Sequence, residues 1–215
     1  MRSALLVIAG TLVVLATGCT SSGAPQAPRA DSTAPVIAPG RPGEQARTLA
    51  PAEAATAVPS PTANAADVTY VQDMIVHHRQ ALDLALLAPN RARSAKVKSM
   101  ADRVRAAQGP EIQFMTGWLR EQDQKVPDHH AAHEGMPGMA TPEQIEALKA
   151  AQGTAFDRMF LQLMINHHLG AIRMSEQVLG SGSHQRIEEL AGEVSVEQSA
   201  EIRRMQQIER ELPAS

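Results

Sequence analysis

Two His-His pairs stand in the sequence, His77-His78 and His167-His168, each with a methionine three positions ahead, Met74 and Met164. Imidazole suits copper in either oxidation state, and a thioether is a soft donor suited to Cu(I). Positions three or four apart share one helix face, so the sulfur and imidazoles of each motif can serve one site. Met174 extends the second stripe, and Glu111 with Met115 and Glu201 with Met205 add further donors downstream of each pair. Between the pairs, His129, His130, His133, Met136 and Met139 lie in a Gly/Pro-rich segment that reads as a flexible second capture site. The only cysteine is Cys19, near the N-terminus. Structural zinc of the thiolate type and iron–sulfur clusters are therefore not expected. Methionines at this spacing also pack well as core, the expected role of Met100 and Met159. His184 has no partner in the pattern and reads as a surface residue.

The elements that hold these residues follow from a duplication. A shift of 90 carries His77-His78 onto His167-His168, Ala81 onto Ala171, Val104 onto Val194, Gln108 onto Gln198, Glu111-Ile112 onto Glu201-Ile202 and Met115 onto Met205. Each copy reads as helix, turn, helix: about 67–88 and 91–120, then 155–179 and 183–211, with breaks at Pro89-Asn90 and Gly180-Ser181-Gly182. Tyr70, Met74, His77, Ala81 and Leu84 follow the four–three spacing of an inward seam, which Phe160, Met164, His167, Ala171 and Met174 repeat. Val97, Ala101, Val104, Gln108, Glu111 and Met115 give the seam of the second helix, matched by Ile187, Ala191, Val194, Gln198, Glu201 and Met205. Two hairpins with apolar seams bury them against each other, so the fold class is all-α, an antiparallel four-helix bundle. The seam puts His77 and His167 inward with Glu111 and Glu201, where buried polar groups must meet one another or a cation. His78 and His168 fall at its edge, closing over the site or facing solvent. Pro110 interrupts one second helix only, so the half-sites need not be equivalent. Thr141-Pro142 looks like the start of a short helix to about 151.

Ahead of the hairpins, Arg2, the apolar run Ala4 to Ala16 and the small residues before Cys19 read as a signal peptide over 1–18. Cys19 sits where a bacterial lipoprotein is lipidated, although the usual Leu three places earlier is Ala16. Residues 19–66 are dense in Pro, Ala, Ser, Thr and Gly and read as a disordered tether with a coil reach of roughly 35–40 Å. The folded part is then 67–212: a first repeat over 67–122, the linker 126–140 and a second repeat over 155–212. An extracytoplasmic protein anchored to the bacterial membrane through Cys19 is expected. The net charge of -3, with basic residues spread among acidic ones, gives no nucleic-acid footprint.

The motifs Met74-Ile75-Val76-His77-His78 and Met164-Ile165-Asn166-His167-His168 resemble the DUF305 family. So do Glu111 to Met115, Glu201 to Met205, and Gly135 to Met139 followed by Phe156-Asp157-Arg158. The resemblance covers roughly 67–211. It implies a ferritin-like four-helix bundle, often exported, some members being linked to copper binding and tolerance. Leu84 stands where the family favours Met, as at Met174. The expected function is non-enzymatic: binding a metal, copper first, and sequestering it or handing it to a metal-handling partner at the cell surface. A His/Glu layer that only sets bundle register is the alternative. A di-iron oxidase is the third reading, poorly supplied with carboxylates since no Glu-x-x-His unit occurs.

Overall fold

The computed structural model describes residues 36–38, 45–50, 62–128 and 135–213. The leader, Cys19 and the linker residues His129, His130 and His133 lie outside these. Two compact units are separated within the chain, before and after Val58. In the first, Val36–Ala38 (β1) pairs antiparallel with Arg47–Leu49 (β2), Val36 opposite Leu49. This short ribbon lies within the stretch 19–66 read as a tether. Its β-branched Val36, Ile37 and Thr48 suit a pleated pair.

The second unit is helical. Helix α1 spans Ala65–Ala85 and starts in a capping box. The Asn64 side chain accepts from the backbone N–H groups of Ala66 and Asp67, and the Asp67 carboxylate accepts from Asn64 N. It ends at Leu86, ahead of the expected break, because Pro89 opens a separate turn, α2, over Ala88–Arg91. Helix α3 (Ala95–Glu121), capped by Ser94, runs on through Pro110. Helix α4 (Pro142–Ala150) begins in a capping box of Thr141 and Gln144, as its sequence predicts. Helices α5 (Gly153–Leu179) and α6 (Gln185–Glu211) complete the second hairpin.

Within each hairpin the helices pack closely, α1 on α3 and α5 on α6. The hairpins meet chiefly through α1 against α5, the two helices that carry the His-His pairs, whereas α3 and α6 barely touch. Two aspartates lock this arrangement. Asp67, fully buried, accepts from the backbone N–H groups of Ser183 and His184 at the turn of the other hairpin, and from the Ser183 hydroxyl. Asp157, the equivalent residue of the second copy, accepts from Arg93 N and Ser94 N at the turn of the first hairpin, at 3.1 and 2.9 Å. Each copy thus caps its partner's second helix, the reciprocity of an approximate two-fold axis.

The core follows the same symmetry. One apolar cluster contains Tyr70, Met74, Met115, Trp118 and Met174, and the other Met100, Phe156, Phe160, Met164 and Met205. The seam positions bury their apolar side chains as the spacing predicts, each full burial contributing about 1.5–3 kcal/mol. Between the clusters lies a layer of buried polar residues: His77, His78, His167, His168, Gln108, Gln198 and Glu201, with Glu111 at its rim.

Candidate functional site

All four imidazoles of the polar layer are buried. The rings of His77 and His167, equivalent residues of the two copies, lie against each other with centroids 3.8 Å apart. His78 Nε2 is 2.7 Å from Glu111 Oε2, and His168 Nε2 is 2.8 Å from Glu201 Oε2. The expected pairing is corrected: the second histidine of each pair, not His77 or His167, meets the carboxylate. His78 and His168, for which two positions were left open, both close over the layer rather than face solvent. The 100° step between neighbours does not expose the second ring, because α1 and α5 are covered by the opposite hairpin as well as by their own.

The acceptors fix the tautomers. A carbonyl or carboxylate oxygen only accepts, so His77 Nε2–H donates to the Pro137 carbonyl at 3.0 Å and His168 Nε2–H donates to Glu201. Burial pushes the His77 imidazole down to about 3, helped by the charges of His78 and His168, and holds the His168 pKa below its ordinary value despite Glu201. Neutral rings with a protonated Nε2 carry their lone pair on Nδ1. Among the described residues, Nδ1 of His77, His78 and His168 and both nitrogens of His167 lack a partner in hydrogen-bond geometry, although the backbone of His77 acts on His167, and that of Met164 on His168, to raise their pKa against burial. His167 is held well below the usual imidazole range by burial and by His77. The Gln108 amide, equally buried, also makes no hydrogen bond among the described residues. So many bare polar atoms in one layer are rare in a folded protein.

Imidazoles whose Nε2–H is held by a carbonyl or carboxylate while Nδ1 stays bare match the way metal-ligating histidines are oriented. The donor chemistry fits copper. Among the described residues no three His, Asp or Glu side chains converge as a cation cage. Imidazole and thioether are the donor types that suit copper. The thioethers divide: Met74, Met115 and Met174 belong to one apolar cluster, Met164 and Met205 to the other. Met164 and Met174, both on α5, fall in different apolar clusters. Leu84 is core packing beside the Met164 cluster.

The linker is less free than its composition suggests. Gln80 clamps Ala140, its amide donating to Ala140 O and its carbonyl accepting from Ala140 N. Gly138, at φ +79, lies against Gly170, where a side chain would strike the Pro137 carbonyl. Met136 and Met139 are half-buried in this docked segment rather than on a flexible arm. His184 is likewise not a lone surface residue. Its ring stands edge-on to Trp118 at 5.2 Å, and its Nε2 faces the indole N–H at 3.5 Å. The spacing argument missed Asp67, Asp157 and Gln80; the shift of 90 relating Asp67 to Asp157 was the available signal.

The family model described as DUF305, a domain of unknown function, matches residues 67–209. A DUF305 fragment from Deinococcus radiodurans is 33% identical over 71% of this chain and 100% of its own, with a TM-score of 0.65. A DUF305 candidate secreted protein from Streptomyces coelicolor is 28% identical over 70% of this chain and 95% of its own, TM-score 0.64. CopM in its Cu(II)-bound form is 30% identical over 67% of this chain and 96% of its own, TM-score 0.60, and CopM is also known with Cu(I) and with silver. No curated protein matches the chain. Paired histidine motifs, duplicated hairpins and a match running through nearly the whole helical unit together make the chain a member of the DUF305 family.

Proposed function

We propose that this chain is an extracytoplasmic, non-enzymatic protein that binds copper in the polar layer of its bundle and sequesters it or hands it on. The observation that carries this reading is the set of buried imidazole nitrogens left bare while their Nε2–H groups are held. The bound forms of CopM support copper as the ligand class. His77 and His167 would be the inner ligands, with the methionines of the flanking turns as soft donors. Copper bound there would be cargo; the chain's own residues orient the rings and exclude water. Anchoring through Cys19, and a role for His129, His130 and His133 in capture, belong to the same proposal. No helix among the described residues is long and apolar enough to cross a membrane.

Anaerobic titration of the chain with Cu(I) against a competing chelator tests it. Binding tighter than micromolar, lost in the His77→Ala/His167→Ala variant, is the expected result. Weaker binding, or binding indifferent to those substitutions, sinks the inner site. A second reading has its own observation: His78–Glu111 and His168–Glu201 are complete pairs that fix helix register without any metal. Under it, substitutions in the layer change unfolding and leave copper affinity untouched.

A further inference from the structure

An open groove of about 640 Å³ runs along α6, lined by that helix except for Arg103 of α3, which α6 barely touches. One wall carries Glu189, Glu193, Glu197 and Glu201, four residues apart and so stacked turn upon turn on one face of α6. Their burial deepens along the row. Glu189 and Glu193 are exposed, Glu197 is half-buried and Glu201 is 1% exposed. A like-charge row at this spacing repels itself, offset in the same groove only by Arg103 and, at its inner end, Arg204. Partial burial, then Glu111 and Glu201, raise the pKa of the Glu197 carboxyl.

The inner end of the row is bound to the polar layer. Glu201, which lines the groove, accepts from His168 at Oε2, and its buried Oε1 makes no hydrogen bond among the described residues. Arg103 Nε stands 3.3 Å from that oxygen, without hydrogen-bond alignment, on a side chain 49% exposed. It can swing aside without disturbing the core.

We propose that this groove is the way in for the cation: Glu189, Glu193 and Glu197 draw it from solvent and deliver it past Arg103 to Glu201, beside the buried imidazoles. The inference rests on the reading of the layer as a copper site, but it concerns rate rather than affinity. Charged clefts of this kind raise association rates by about tenfold or more, and the gain fades with salt.

The test is stopped-flow transfer of Cu(I) to the full chain from a weak chromophoric chelator, with affinity measured separately by competition. The Glu189→Gln/Glu193→Gln/Glu197→Gln variant is expected to load about tenfold more slowly at low salt, and no more slowly than the unsubstituted chain at high salt. Its equilibrium affinity should stay within about threefold. The charge-matched control Glu143→Gln/Glu146→Gln/Glu176→Gln should load like the unsubstituted chain. An unchanged loading rate in the groove variant overturns the route while leaving the binding reading intact. Slowing in the control to the same extent assigns the effect to net charge and also overturns it. Loss of affinity without loss of rate makes the row part of the site instead, and equally defeats the proposal. Failure of the unsubstituted chain to take up Cu(I) at all fells the binding reading itself, and the route with it.

Discussion

A proton placed on His77 would sit as an unpaired charge between two apolar clusters. That is why burial drives its pKa to about 3, and the same cause lowers His167 and His168. In the unfolded chain these rings titrate near the ordinary imidazole value of about 6.5. The unfolded state therefore binds more protons below that pH, and stability falls as the solution is acidified. For the metal-free chain we expect urea stability to be flat above pH 7. From about pH 6.5 downward, each of the three histidines should remove up to about 1.4 kcal/mol per pH unit. Chemical denaturation at pH 7.5, 5.5 and 4.5 measures this; a stability unchanged over that range refutes the neutral cluster. At the same scale, Glu201→Ala strands the buried His168 Nε2–H and should cost about 1–3 kcal/mol, read as a lower urea midpoint. The residue types of this layer were legible from the seam spacing: His77, Gln108, His167, Gln198 and Glu201 fall inward as predicted, and Glu111 reaches its rim. Which imidazole meets which carboxylate was not, because that depends on how far the two helices of each hairpin, α1 with α3 and α5 with α6, rotate against each other, and helical periodicity carries no such information.

The helices were legible because a strict period and a constant shift specify them locally. Where α3 and α6 begin depends on chemistry between hairpins. Asp67 and Asp157 bind the turns of the opposite copy, a contact no local window contains. Asp157→Ala leaves Arg93 N and Ser94 N without their acceptor and should destabilise by about 1–3 kcal/mol. Asp67→Ala, which also frees Ser183 Oγ and Asn64 N, should cost more; equal or negligible losses in urea melts would mean that the clasps are not structural. Two glycines give a contrast on α5 and α6. A Cβ at Gly170 would strike the Pro137 carbonyl, whereas Gly192 faces open space. Gly170→Ala should therefore destabilise by about 1–3 kcal/mol and release the linker from His77. Gly192→Ala should stabilise by about 0.5–1 kcal/mol, by removing backbone freedom from the unfolded chain. Thermal melts of the two variants, moving in opposite directions, are the check. The docking of 135–140 escaped the sequence reading because a Gly/Pro-rich composition signals a turn without saying what holds it.

For the molecule as a whole, the two copies are related by an approximate two-fold axis, and the copies are not identical. The Glu111 side chain is 15% exposed and its counterpart Glu201 only 2%. Pro110, beside Glu111, removes an N–H from α3 that α6 keeps. The symmetry nevertheless has a consequence at His77 and His167. Two equivalent residues in contact must lie at the axis itself, so the pair contributes one location, shared, rather than one in each copy. Copying the hairpin gave the chain two of every motif but a single meeting place for them. Its inner-site stoichiometry should accordingly be one ion per chain, and a calorimetric titration returning two equal high-affinity sites would contradict that count.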